Sequence, residues 1–420
     1  MSTTNNTEGE IINSEVQEQP SAIKVFIRRT KKVTKRFINR KIVFPLVYKV
    51  ASRKPLQENK VIFLEIRYDG ITNSYQKIYD ELKNNYDCEI HVHHFKQGFV
   101  ERKDEYVRKI KFFIDAATAK YIIFNDSSDT QGVLKKRKGQ HYMNTWHATG
   151  AFKRFGFATA DKGFGGNGKE LSKYPLHPEY DMVTVSSPEI CWAYAKAMGK
   201  DEKEISPVGV SRTDVFYEEE YIAQAYKNIY ELVPAAKDKK VLLYAPTFRG
   251  TPRHAQAPDQ LDIKQLYDNF KDEYVLIIKH HPMVIEENRP IIPEECKDFA
   301  FDVTDDGAIN DLLCVADICI TDYSSLIYEY SIFERPLIFF AYDLDEYFDE
   351  RGFFYDYNEL TPGPVYSKTS EIVDYIRNIR TSFDKDKVHD FRVRFMSSCD
   401  GHATERIMNT FFKELDKYKK

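Results

Sequence analysis

Three observations on this 420-residue chain predict an α/β fold built of two Rossmann-like halves. From residue 58 onward, short apolar runs alternate with amphipathic stretches of about 10–15 residues, the pattern of βαβ units and a parallel sheet. The series runs twice, with PVGVSRTDVF (207–216) near the boundary. Apolar residues make up 42% of the chain and aromatic residues 14%, enough to bury a large core.

In the first half VIFLEI (61–66) reads as a strand, SYQKIYDELKNN (74–85) as a helix and CEIHVHHF (88–95) as a strand. A helix over roughly 102–117 precedes the strand YIIFND (121–126). MVTVSS (182–187) is a strand and PEICWAYAKAMG (188–199) a helix with its Gly stop. In the second half 218–235 is helical, VLLYAP (241–246) a strand, DIKQLYDNF (262–270) a helix and YVLIIKHHP (274–282) a strand. AINDLLCVA (308–316) is helical, DICIT (317–321) a strand, SSLIYEYSIF (324–333) a helix and PLIFFA (336–341) a strand. The expected limits are 57–207 and 208–400, with a C-terminal helix over 401–420. No repeat of fixed period and no further low-complexity tract interrupts the body.

The net charge of −4 argues against a generic nucleic-acid binder, but it is unevenly spread. Residues 1–20, a disordered acidic tail by composition, carry −4; residues 21–54 carry +12; the remainder carries −12. In the basic segment, set at 21–56, Ile23, Phe26, Ile27, Val33, Phe37, Ile38 and Ile42 recur near helical spacing. Arg28, Arg29, Lys31, Lys32, Lys35, Arg36 and Arg40 lie between them. Such a helix suits an anionic membrane surface, where each base contributes roughly 1 kcal/mol. A basic helix lying on the acidic body and an RNA-binding arm are the alternatives. Pro45 is expected to end the helix.

Six scattered cysteines without a C-x-x-C suit reduced thiols in a cytosolic protein. The polar N-terminus does not read as a signal peptide, and no apolar run reaches the ~18–20 residues of a membrane span.

Open parallel sheets bind ligands at the carboxyl ends of their strands, which puts the site in the cleft between the halves. After ICIT, Asp322-Tyr323-Ser324-Ser325 opens a helix whose free N–H groups and dipole favour an anion. After VLIIK, strand alternation puts Lys279 and His281 on one side at the cleft rim, a cation and an imidazole suited to an anionic leaving group. Arg249 ends a third strand and is a phosphate ligand by geometry. In the first half Asn144-Thr145-Trp146-His147-Ala148-Thr149-Gly150 is followed by Lys153 and Arg154. His147, beside small residues that let a substrate approach, is a candidate general base for a hydroxyl nucleophile. GFGGNG (163–168), with Gly165 and Gly166, reads as a mobile loop near the acceptor.

His91 and His93 share a strand face and could hold a metal, but no third ligand is apparent in the sequence, so a core-edge strand is the reading adopted. Asp126 and Asp129 could bind Mg²⁺ but read as a polar loop. The absence of G-x-S-x-G leaves serine-hydrolase chemistry unsupported. The acidic, aromatic DLDEYFDERGFFYDY (343–357) reads as a loop packing over the cleft.

NTWHATGAFKRFG, PVGVSRTDVF, YAPTFRG, IIKHHP, ADICITDYSSLIYEYSIFERPLIFF and YDLDEYFDERGFFYDYNELTPGP span roughly 140–365. In this order they resemble the CDP-glycerol glycerophosphotransferase family, which primes or polymerises teichoic acids and related bacterial surface polymers. The resemblance implies a GT-B-like fold, with 57–207 the acceptor domain and 208–400 the nucleotide-binding domain. It implies that His147 is the base or acceptor-side residue and His281 the nucleotide-side histidine, with Ser324 and Ser325 at the pyrophosphate. Asp322, Arg249 and Lys279 join the nucleotide side; Thr149, Lys153, Gly165 and Gly166 join the acceptor side. The chain departs from the family at Ala148, where many members have Gly, and at Gly150, where many have Pro, both beside the expected acceptor.

The expected reaction is glycerol phosphate transfer from CDP-glycerol to a polyprenyl-diphosphate-linked glycan at the cytoplasmic face of the membrane, releasing CMP. No cofactor or metal is required by the sequence, and a divalent metal is left open. CDP-ribitol as donor, a GT-B glycosyltransferase using a UDP-sugar, and a non-catalytic membrane adaptor are the alternatives. The oligomeric state is not read from the sequence.

Overall fold

The computed structural model describes residues 30–31, 33–67, 69–96, 100–160, 167–251 and 254–420, and within them twelve strands form two sheets. The acidic tail, Phe26, Arg28, Arg29, Lys32, Gly165 and Gly166 lie outside the described residues.

The first sheet contains β1 (Gln57–Glu65), β2 (Glu89–His94), β3 (Ala119–Phe124), β4 (His141–Asn144), β5 (Met182–Thr184) and β6 (Ile205–Ser206), in the order β2-β1-β3-β4-β5-β6. The second contains β7 (Lys240–Tyr244), β8 (Tyr274–Ile278), β9 (Ala300–Asp302), β10 (Ile318–Thr321), β11 (Leu337–Phe340) and β12 (Val365–Tyr366), in the order β12-β11-β10-β7-β8-β9. Every pairing is parallel. Parallel sheets are covered on both faces, which is why β3 and β8 are buried at every position and read as unbroken apolar runs. Strand order reverses between β1 and β3 in one sheet and between β7 and β10 in the other. These are the two topological switch points, where ligands bind in folds of this kind.

The helices follow the sequence signals. Asp262 accepts the Gln265 N–H at the start of Ile263–Phe270, and Gly199 ends Cys191–Met198 in the left-handed region at φ 65°. The strand expected over 274–282 stops at Ile278, and the helix expected over 324–333 shrinks to Leu326–Ser331. The short β4, β6, β9 and β12 carry too few apolar residues to be seen by periodicity. The end of the chain returns to the first half: Ile407, Met408, Phe411, Phe412 and Leu415 pack with Val61, Phe63 and Tyr121.

From residue 33 the basic segment forms a two-faced helix that runs through Pro45 rather than ending there. Asn39–Val43 is a π turn in which the Phe44 N–H bonds to Asn39 O, so Pro45 opens the α-helix Phe44–Ala51, where no N–H is needed from it. Arg36, Arg40, Phe44 and Tyr48, each four apart, face the body. Arg36 pairs with Asp129 and Glu170, so this residue, expected at a membrane, is held by the protein's own carboxylates. Arg40 is buried over the Tyr174 ring, Phe44 stacks on Phe113 at 4.9 Å, and Tyr48 donates to Gln140 Oε1 at 2.7 Å. The opposite face exposes Val33, Phe37, Ile38, Ile42, Leu46 and Val50, each at least 42% open to solvent.

Candidate active site

A cavity of about 730 Å³ opens between the halves. Its first-half wall is the β1/β3 switch point, with Glu65, Arg67, Asn125 and Asp126, and the loop after β4, with Trp146 and His147. Lys153, Arg154 and Arg212 complete that side; His281, Pro282, Ile309 and Ser325 form the other.

His147 is held from several directions. The preceding Trp146 adopts φ 55°, a region costly for a large side chain, and is fixed there by its N–H on Asn144 Oδ1 at 2.8 Å. The indole stacks on His147 at 4.4 Å and on Phe155 at 4.9 Å. Nδ1 of His147 lies 3.1 Å from the Asn125 carbonyl. A carbonyl only accepts, so Nδ1 carries the ring proton and Nε2 keeps its lone pair. Asn125 is itself set by Glu65, which takes an Nδ2 hydrogen at 2.9 Å. Desolvation draws the His147 pKa below its ordinary value, against the pull of Asp126, whose Oδ1 lies 3.8 Å away. The side chain nevertheless stays 49% exposed.

His281 has the opposite polarity. The Met283 N–H donates to its Nδ1 at 3.2 Å, so the proton of the neutral ring sits on Nε2. Phe248 meets the ring edge-on at 4.9 Å. The cavity therefore has an imidazole set to accept a proton on one wall and an imidazole set to donate one on the other.

Several predicted residues are placed differently. Lys279 does not accompany His281, because the strand ends at Ile278 and alternation ends with it; its ammonium donates to the Thr304 carbonyl. Arg249 is enclosed rather than offered to phosphate. Its Nη1 donates to Asp322 Oδ2 at 2.9 Å and Nη2 to Asp343 Oδ1 at 3.0 Å, beside the rings of Tyr323, Tyr342 and Tyr347. Burial works against its charge, and the two carboxylates more than offset that, raising its pKa. Asp322 is buried and accepts from Thr247 N and Oγ1 at 2.8 and 3.0 Å, making it a pin for the strand ends.

On the acceptor side, Thr149 is fully buried and its hydroxyl donates to Glu329 of the other half. Gly150 lines the cavity and also packs closely on its other side, where a Cβ would stand 2.3 Å from the Tyr328 ring. Lys153 does line the cavity, donating to the Tyr347 hydroxyl at 3.0 Å. Ser325 also lines it and makes no side-chain cap bond, whereas Ser324 Oγ accepts the Leu326 N–H at 3.4 Å. The segment 343–357 clamps the halves through Phe354 N on Phe152 O at 3.1 Å and Arg154 Nε on Phe353 O at 2.8 Å.

Asp126 faces the cavity and binds Arg67 at 3.1 Å, but Asp129 turns to Arg36, so the two do not form one metal site. Among the described residues one group of three metal-ligating side chains exists, His91, His93 and Asp115, and it lies outside the cavity.

Arg67 and Arg212 escaped sequence reasoning. Arg67 lies two residues past the end of β1, a strand-end signal available in the sequence. Arg212 sits in PVGVSRTDVF and donates from Nη1 to the His147 carbonyl at 3.0 Å, with Nη2 3.6 Å from buried Glu329.

The model of the CDP-glycerol:poly(glycerophosphate) glycerophosphotransferases matches residues 46–413. The chain belongs to this family. It is similar to the teichoic acid poly(ribitol-phosphate) polymerase of Bacillus spizizenii, at 35% identity over 90% of this chain and 61% of that protein. It is also similar to the ribitol-phosphate primase of the same organism, at 34% over 89% of this chain and 96% of that one. The glycerol-phosphate primase of Bacillus subtilis is 32% identical over 73% of this chain and 78% of its own. The fold matches that of the wall teichoic acid polymerase TagF, with a TM-score of 0.73 at 21% identity, covering 95% of this chain and 99% of that structure. The chain is thus an enzyme of the teichoic acid phosphotransferase family with a GT-B-like fold of two facing Rossmann-like domains.

Proposed function

We propose that this enzyme transfers an alditol phosphate from a CDP-alditol to a hydroxyl of a lipid-linked acceptor, releasing CMP. The acceptor oxygen attacks the β-phosphorus, the bond from that phosphorus to the CMP oxygen breaks, and CMP leaves with the electron pair. Nε2 of His147 takes the hydroxyl proton. The observation that carries this reading is the Asn125 carbonyl on His147 Nδ1, which leaves Nε2 as an acceptor on the cavity wall. His281, Arg67, Lys153 and Arg212 supply fixed donors where phosphate charge develops, with the Ser324–Ser325 turn at the pyrophosphate.

Glycerol is the alditol expected from the family. Ribitol is the second reading, favoured by the ribitol-phosphate polymerase and primase at 35% and 34% identity, against 32% over a shorter span for the glycerol-phosphate primase. Mass analysis of the products from CDP-glycerol and CDP-ribitol, with a synthetic lipid-linked disaccharide, is expected to show added alditol phosphate and one CMP per unit. Thermal protection by a UDP-sugar and not by either CDP-alditol would instead assign glycosyl transfer.

No helix of the described residues is long and apolar enough to cross a membrane. The exposed stripe from Val33 to Val50 supports peripheral docking on an anionic surface, with Lys31 and Lys35 exposed on the same helix. Phe37→Ser with Leu46→Ser is expected to weaken binding to anionic vesicles and to slow turnover of lipid-linked acceptors more than of soluble ones. Equal binding by the variant would remove the stripe from the membrane contact. Removing residues 1–54 outright would also delete Phe44 and Tyr48 from the core.

A further inference from the structure

The edge strand β2 brings its two alternate histidines to one face, and the helix Arg102–Ala116 places Asp115 against them. Nδ1 of His91 and Nε2 of His93 lie 2.6 and 2.7 Å from the same oxygen, Asp115 Oδ2. The other carboxylate oxygen is taken by Lys60, whose ammonium also donates to Thr118 Oγ1 at 3.2 Å. Behind His91, its Nε2 lies 2.9 Å from Glu89 Oε1. Three potential ligand atoms therefore converge, and charged partners orient two of the three side chains.

We propose that His91 Nδ1, His93 Nε2 and Asp115 Oδ2 bind a divalent transition-metal ion of the Zn²⁺ type, with a fourth position open to solvent. Two imidazole nitrogens and one carboxylate suit Zn²⁺, Co²⁺ or Ni²⁺ and are a poor set for Mg²⁺ or Ca²⁺, which take oxygen. Glu89 stands where a carboxylate orients a metal-bound histidine, and Lys60 fixes the aspartate so that Oδ2 faces the imidazoles. Asp115 and Glu89 bring two negative charges against the single positive charge of Lys60. With neutral imidazoles, the form that binds metal, a dication is attracted. Metal–ligand distances of about 2.0–2.2 Å in a tetrahedron require the ligand atoms to part to roughly 3.3 Å. His91 and His93 are 38% and 18% exposed on an outer strand and have room for that rotation.

The ion would tie the edge strand to the helix that covers it. None of the three residues lines the catalytic cavity, so the proposal stands apart from the transfer reaction.

The full chain, freed of metal with a chelator, is titrated with Co²⁺ and followed by its visible absorption and by thermal unfolding. The expected result is one equivalent bound with tetrahedral d–d bands, displacement by Zn²⁺, and a rise in Tm with either ion. His93→Ala and Asp115→Asn are expected to abolish the bands. Glu89→Gln, acting through His91, is expected to weaken binding by about 10-fold. No saturable binding at a tenfold molar excess of Co²⁺, or bands of full strength in His93→Ala, would overturn the proposal. Should His93→Ala or Asp115→Asn fail to fold, the more exposed His91→Gln decides the matter: retained bands refute the site and lost bands support it.

Discussion

At the switch point of the first sheet the strand ends leave Arg67, Asn125 and Asp126 on the wall of a cavity, while at that of the second Thr247, Arg249 and Asp322 bind one another. Both places have an arginine beside an aspartate. Arg67 has Asp126 at 3.1 Å and keeps 45% of its side chain exposed. Arg249 has Asp322 and Asp343 and keeps 20%. The difference is set by what burial demands: Asp322, 2% exposed, has to be paired where it is, and the arginine nearest to it becomes part of the framework. An arginine at a strand end stays open to a ligand where the carboxylate it pairs with lies on a cavity wall, as Asp126 does. It becomes framework where that carboxylate is sealed inside, as Asp322 is.

The sharpest test of this contrast lies on the first side. His147→Ala is expected to lower kcat by about 10²–10⁴-fold while leaving thermal unfolding nearly unchanged, because the half-exposed ring is poised for chemistry rather than for packing. Near-normal turnover would break the assignment of the base.

On the second side the readout reverses. Arg249→Ala strips buried Asp322 and partly buried Asp343 of their cationic partner and is expected to cost about 3–5 kcal/mol of stability in denaturant unfolding. Arg67→Ala removes the half-exposed partner of Asp126, which still faces the cavity, and is expected to cost less stability than Arg249→Ala while slowing transfer. If Arg249→Ala unfolds like the wild type, the second switch point is a ligand site after all.

The smallest effect concerns pH. A base works only when unprotonated, so transfer is lost as pH falls through the His147 pKa, which desolvation places below the ordinary histidine value. Asp126 favours the imidazolium, so Asp126→Asn is expected to move the acid limb of kcat/KM to lower pH. A limb displaced upward would mean that Asp126 does not act on His147 by its charge.

Much of this architecture was legible locally. Runs such as VLLYAP and YIIFND are buried strands because their own apolar side chains demand it, and Asp262 and Gly199 delimit helices through bonds within one turn. The two histidines of the cavity were legible as well, since each follows a strand end by a few residues. The short strand HYMN, the helix continuing through Pro45, and Arg212 were not. Each depends on neighbours remote in sequence or on a local geometry that periodicity does not encode.

The sequence by itself determined the two αβ halves, the family, and the residue types gathered at the strand ends. Only the tertiary structure decided which of those residues face the cleft. Arg249 meets Asp343 across 94 residues and Thr149 meets Glu329 across 180, and Asp115 reaches His93 across 22. The physical reason is that burying a charged or polar side chain without a partner is costly, so its orientation is fixed by whichever complementary group the fold brings near. Strand and helix arise from nearest neighbours along the chain, whereas the availability of a side chain for chemistry arises from neighbours in space.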